Sequence, residues 1–172
     1  MTHLLNGFIY NHLRADSVRL VNSVLPESCH PKVRKLAEYW LAIHPTNALP
    51  GRQHFDPIDV PSLLPNLWLL DVQHDPIRFR LRLLGTRIID YAGEDNTGKW
   101  VDEKWPNFEN SVFTEIAKSG QPSWYRGPSK LRPEKDYYEL ERVRLPLARN
   151  GKLIDMILAL TVFFDSHGNE IS

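Results

Sequence analysis

Residues 67–83 read Leu67-Trp68-Leu69-Leu70-Asp71-Val72-Gln73-His74-Asp75-Pro76-Ile77-Arg78-Phe79-Arg80-Leu81-Arg82-Leu83. From Leu67 the hydrophobic period is two. Trp68, Leu70 and Val72 alternate with Leu67, Leu69 and Asp71, so both faces of this segment are largely apolar. From Ile77 the alternation is strict, with Ile77, Phe79, Leu81 and Leu83 on one side and Arg78, Arg80 and Arg82 on the other. A pleated chain sends successive side chains to opposite faces, so runs of this kind are strands. His74-Asp75-Pro76 has turn composition, and the whole segment predicts a hairpin of 67–73 against 77–83.

Downstream, Gly85-Thr86-Arg87 opens a short helix with Ile88, Ile89 and Ala92 on its apolar side and Gly93 as its stop. Asn107 is the predicted cap of a crossover helix whose buried face is Phe108, Val112, Phe113 and Ile116, ended by Gly120. Three strands follow. The first, 122–131, is broken by Gly127 and Pro128. The second, 137–147, has Tyr138 and Leu140 on one parity but Val143 and Leu145 on the other, which suggests a bulge. The third, 153–164, carries one apolar row, Ile154, Met156, Leu158, Leu160, Val162 and Phe164, with Asp155 and Thr161 on the other. Asn150-Gly151 between the last two is a hairpin signal.

Upstream, 31–44 is the clearest helix. Pro31 stands at its first turn, where a missing N–H is harmless. Val33, Leu36, Ala37, Trp40 and Leu41 make one buried face, and Pro45 stops it. Two shorter helices precede it. One spans 4–13 with Leu5, Phe8, Ile9, His12 and Leu13. The other is capped by Asp16 and runs through Val18, Val21 and Leu25. Between 45 and 66, Pro50, Pro57, Pro61 and Pro65 punctuate a connector in which Asp59 can cap a turn over 60–64. The predicted fold is α+β: a five-stranded antiparallel sheet with a helical crossover, plus an N-terminal helical extension. Helices are expected on the face carrying Phe79, Leu81, Met156 and Leu158. The predicted division is 1–30 for the extension and 31–172 for the domain.

Composition bounds the function. At 172 residues one domain is expected, with roughly 70% of the unfolded surface buried. The 21 basic and 21 acidic side chains cancel, so no overall field attracts nucleic acid or an anionic membrane. One Cys excludes an internal disulfide and a Cys-based zinc site. No apolar run reaches the roughly 18 residues of a spanning helix, and the start of the chain lacks a secretory signal. A soluble, cytoplasmic protein is the expectation.

The order of elements resembles a PAS domain, in which strands and short helices form a cup around a small cavity. The residues carry the resemblance further. Leu49-Pro50-Gly51-Arg52 follows the Trp40 helix, then Phe55-Asp56-Pro57 and Leu63-Leu64-Pro65-Asn66. Phe79-Arg80-Leu81-Arg82, Leu84-Gly85-Thr86, Gly93 and Thr97-Gly98 come next. This succession is similar to a family of bacterial single-domain PAS-like proteins. It covers about 31–164, and its specific parts are Arg-x-x-Phe-Asp-Pro and Arg-x-x-Gly-Thr. The resemblance implies a sensory or protein-interaction module with a buried small ligand, and not an enzyme. It also implies two exclusions. Light-sensing relatives place a reactive Cys where this chain has 96–102, a stretch without Cys, so a covalent flavin photoadduct is not expected. Haem-binding relatives use a His on the crossover helix, and 107–119 has none, so haem is not expected either. The cofactor is otherwise unknown.

Searches for chemistry are mostly negative. No Gly-x-Ser-x-Gly elbow occurs, and Cys29-His30 reads as a surface thiol beside a surface His. Residues 93–99 lack the Ser or Thr that ends a phosphate loop. The seven His show no metal-ligand spacing, and no metal site is expected. Arg78, Arg80 and Arg82 share one strand face, with Arg142 and Arg144 as neighbours that can join them. Pairing with Asp71, Glu139, Glu141 and Asp155 is the favoured reading. The alternatives are an anion or nucleic-acid surface, and a row covered by the N-terminal helices.

Trp100, Trp105, Trp124 and Tyr125 surround the crossover and the third strand. They read as core or as cavity wall. Phe113, Ile116, Trp124 and Met156 are the candidate pocket-lining residues. Arg52 and Asp56 are expected to pin the connector to the sheet. The leading expectation is a regulatory module that binds a signalling protein in trans, since no output segment follows Phe164, together with an unidentified small ligand. A homodimer through the N-terminal helices or the sheet face is expected, with no membrane or nucleic-acid partner. The alternative is a small isomerase- or hydratase-like enzyme on a similar cup. That needs an acid or base inside, which the apolar rows do not supply.

Overall fold

In the computed structural model the described residues are 13–108, 110–129, 134 and 139–172. Two helices come first, α1 (Leu13–Val24) and α2 (Pro31–Ala42). Three short 3-10 turns, Arg52–His54, Pro57–Asp59 and Pro61–Asn66, lead into β1 (Leu67–Gln73) and β2 (Arg78–Leu84). The crossover holds α3 (Thr86–Ala92), α4 (Val101–Lys104) and α5 (Ser111–Ser119). β3 (Ser123–Pro128), β4 (Glu139–Leu147) and β5 (Met156–Phe164) complete the chain.

The predicted α+β class is observed. The sheet runs β2-β1-β5-β4-β3 and every pairing is antiparallel. The crossover carries the chain from one edge of the sheet to the other. β5 then returns to the centre, where all nine of its residues are buried. It tolerates that position because both of its parities are apolar enough to be covered.

Register decides which parity faces which layer. Trp68 lies opposite Ala159, Leu70 opposite Ile157, and Thr161 opposite Arg142. Ile157, Ala159, Thr161 and Phe163 therefore share a face with Trp68 and Leu70, under the crossover. The wholly apolar row, Met156 to Phe164, lies on the other face, beneath α2. There Val33, Leu36, Ala37 and Trp40 are fully buried. The Trp40 indole donates to the Pro146 carbonyl at 2.9 Å, fixing α2 to β4. This corrects the expected grouping of Met156 and Leu158 with Phe79 and Leu81. An apolar row identifies a buried face, and here both faces are buried.

Other expectations shift for local reasons. Asp16 lies inside α1, paired to Arg19, and caps nothing. The helix expected over 4–13 falls mostly outside the described residues, as does the strand end at 137–138. Phe108 precedes α5 instead of entering it, and Val112 is 39% exposed. β5 starts late because the Asn150 Oδ1 accepts the N–H groups of Lys152 and Leu153, holding that turn out of the ladder. β4 pairs with β5 without a register shift. The irregularity is instead in β1–β2, where Leu69 faces Leu83 and Leu70 faces Leu81, leaving Arg82 as the extra residue.

The Arg-x-x-Phe-Asp-Pro motif is local architecture. Arg52 donates to the Phe55 carbonyl at 2.9 Å and lies over its ring, and Asp56 accepts the Ile58 N–H. The Tyr39 hydroxyl accepts the Asp56 N–H and donates to Asp59. Arg52 and Asp56 thus shape the connector's turns and do not clamp it to the sheet. Cys29 is buried, which pushes its thiol pKa up, and the His30 ring accepts the Lys32 N–H as the cap of α2. Neither is the surface group expected.

Candidate ligand cup

Between the sheet and the crossover lies a cavity of about 310 Å³. Trp68 and Leu70 of β1, Leu81 of β2 and Thr161 and Phe163 of β5 form its floor. Ile88 and Tyr91 of α3, Val101 and Lys104 of α4, Phe113 of α5, and Trp105 and Phe108 from the loop between α4 and α5 form its roof. Strand alternation puts the floor residues there, and the amphipathic crossover closes over them. The Trp68 indole donates to the Thr161 Oγ1 at 3.0 Å across two strands. Tyr91 stacks on Phe163 with ring centres 4.4 Å apart. Phe113 is the hub, edge-on to Phe79 at 5.4 Å and to Trp68 at 6.1 Å.

A second, larger space of about 760 Å³ adjoins the first. Lys104, Trp105, Phe108, Phe113 and Arg142 border both. Ser123 and Tyr125 of β3, Arg144 of β4 and the first turn of α5 border the second alone. The two spaces form one cup, apolar at its inner end and polar where β3 and β4 meet α5.

Arg142 and Arg144 are the unexpected members. β4 pairs Arg142 with Tyr125 and Arg144 with Ser123, which places both guanidinium groups on the cup face. Arg144 is 6% exposed. Its guanidinium lies over the Phe113 ring at 5.4 Å and donates to the Ser123 Oγ at 3.3 Å. Arg142 faces the Tyr125 ring at 6.0 Å. Neither Nε has a hydrogen-bond partner, and among the described residues no carboxylate pairs with either arginine. Burial lowers Arg142 to about 10, with Tyr91 and Tyr125 opposing the shift. Burial and the like charge of Arg142 lower Arg144 to about 9.

The structure separates the four expected pocket residues. Phe113 lines both spaces. Trp124 borders the second, but its indole donates to Glu141 on the α2 side. Ile116 is core and lines neither, and Met156 lies on the opposite sheet face. Of the four aromatics, Trp105, Trp124 and Tyr125 border the cup. Trp100 instead lies beneath Arg78 at 4.2 Å and Arg80 at 5.5 Å. Arg78 pairs with Asp102 and Glu103, and Arg80 with Asp71. Arg142 and Arg144 do not join that row, because they project from the other face. The signal that could have found them is the parity change in β4. It reads as a bulge only if charged side chains are assumed to avoid the interior. Taken at face value it puts Leu140, Arg142 and Arg144 in one row.

Among the described residues no group of His, Cys, Asp and Glu is placed to hold a metal ion, and no helix is long and apolar enough to cross a membrane. The family model described as PAS domain matches residues 28–124, more than half of the chain. The chain belongs to the PAS domain family. The match starts just before α2 and ends within β3. The last two strands of the PAS sheet, β4 and β5, lie beyond it, although β5 is the central strand and β4 carries the two cup arginines. No curated protein matches the chain. Membership accounts for the cup between a five-stranded sheet and short crossover helices, and it makes the protein a sensory or regulatory module by type.

Proposed function

We propose that the protein is a regulatory module whose cup takes a small ligand and whose ligand state is read by a signalling protein. The observation that carries this reading is the 310 Å³ cavity in the middle of the core, walled by aromatic and aliphatic side chains with a few polar groups. A close-packed interior leaves few voids larger than a water molecule, so a space of this size is an invitation to an occupant. Ligand binding at the junction of sheet and crossover would stabilise one packing of α3–α5 over others, which is what a partner can read.

Catalysis is the weaker reading. Glu94 is the carboxylate on the wall of the inner cavity, and its hydrogen bond to Lys104 holds its carboxyl below the usual range. That suits a fixed charge and not a proton shuttle near neutral pH. Nucleic-acid binding is weaker still, because Arg78 and Arg80 are already neutralised by carboxylates.

Native mass spectrometry of freshly purified full-length protein tests the cup. A stoichiometric small molecule, lost in a Leu70→Trp variant that fills the cavity, is the expected result. An empty wild-type chain whose melting temperature rises in Leu70→Trp would instead mark the space as a packing defect.

A further inference from the structure

We propose that the occupant of the cup is an organic acid, with its carboxylate seated on Arg142 and Arg144 and its apolar body in the 310 Å³ cavity beside them. The proposal rests on the reading of the cup as a ligand site and names the class of ligand.

The two arginines stand apart from the others in the sheet. Arg78, Arg80 and Arg126 each hold a carboxylate within 3.3 Å, and Arg82 is exposed to solvent. Arg142 and Arg144 hold none among the described residues, and their Nε atoms are both buried and unpartnered. Leaving a buried cation without a counter-charge is strongly unfavourable, and such groups in native proteins mark a missing partner or a function. Their surroundings within the protein are aromatic faces and one serine hydroxyl.

The site also has the right field. Among the described residues the second space is bordered by Arg142, Arg144 and the Glu94-paired Lys104, against one exposed carboxylate, Glu115. The first turn of α5 borders it too, and the Asn110 side chain does not cap the helix there. An uncapped helix start adds partial positive charge and N–H donors. A guanidinium fork matches the flat carboxylate group. The inner cavity then sets the size of the rest. A cavity of ~150 Å³ holds benzene, so about twice that volume suits a two-ring or eight- to ten-carbon body. The burial that lowers both guanidinium pKa values has the same origin, since a bound anion would restore what desolvation removes.

The test titrates the full-length chain calorimetrically with octanoate and 3-phenylpropanoate, with their amides, and with phenyl phosphate. Binding of the acids and not of the amides is expected. Arg142→Met and Arg144→Met should each weaken it roughly 10- to 100-fold, the loss of a charge-assisted hydrogen bond. Arg82→Met, at the exposed bulge, should leave it unchanged. Arg144→Met should also raise the melting temperature of the empty protein, because an unpartnered buried cation is gone. An acid released from freshly purified protein is a second supporting result. Equal binding of acids and amides, or unchanged affinity in both cup variants, overturns the acid while leaving the cup as a ligand site. Preference for phenyl phosphate overturns the carboxylate. No binding by any probe, in a chain that is empty by native mass spectrometry, overturns both the acid and the cup.

Discussion

Glu141 and Arg142 are neighbours in β4 and face opposite layers. Glu141 is fully buried, and its carboxylate is surrounded by donors: the His30 N–H at 2.9 Å, the Trp124 indole at 2.9 Å and Arg126 at 3.3 Å. Three elements meet on it, the cap of α2, β3 and β4. This is the satisfied form of a buried charge. Arg142 and Arg144, on the other face, hold no carboxylate among the described residues, and their Nε atoms are buried without a partner. Glu141→Leu strands two part-buried donors, each worth about 1–3 kcal/mol, so urea denaturation should show a loss of roughly 2–6 kcal/mol. Glu141→Gln keeps an acceptor and should lose less. Equal stability of Glu141→Leu and wild type would show that the donors find other partners.

At the scale of elements, the junctions carry the family motifs. Gly85 sits where the last 3-10 turn, β1 and α3 converge, and its N–H donates to the Leu67 carbonyl at 2.7 Å. A Cβ there would stand 2.4 Å from the carbonyl oxygens of both Leu64 and Pro65. Backbone cannot step aside as a side chain can, so Gly85→Ala should destabilise by about 1–3 kcal/mol, the range for overpacking. A shift in the denaturation midpoint smaller than the fitting error would contradict it. That close approach is the physical content of the Arg-x-x-Gly-Thr stretch. The C-terminal segment makes another junction. Glu170 pairs with Lys32, lies 3.0 Å from the His30 ring nitrogen, and bridges to Phe164 through the backbone. Burial raises its pKa, but the Lys32 hydrogen bond and charge, with His30, carry it below the usual 4.5. A carboxyl depressed in the folded state stabilises above its unfolded pKa and loses that contribution as pH falls through the folded value. The stability gap between wild type and Glu170→Gln should therefore be full at neutral pH and shrink below pH 4.5. A gap that stays constant on acidification would show that the pair contributes nothing.

At the scale of the molecule, a sheet covered on both faces separates structure from site. The α2 face takes the wholly apolar row of β5 and closes around one satisfied carboxylate. The crossover face takes the mixed row and stays open as a cup. Local sequence patterns suffice for the α+β class, the hairpin at its predicted place, the α2 helix with Pro31 at its start, and the PAS resemblance. These follow from local periodicity and turn chemistry, which act over a few residues. Phe113 was also legible, because it sits on the amphipathic face of a short helix. The facing of each strand is set by contacts between distant elements. Met156 and Phe163 belong to parities that are each apolar enough to be buried, and only pairing with β1 and β4 sends one under α2 and the other into the cup. Arg142 and Arg144 were hidden by the same ambiguity. Alternation along one strand fixes which residues share a face, whereas the layer that covers that face is fixed by contacts between residues more than a hundred positions apart, such as the Trp40 indole on the Pro146 carbonyl.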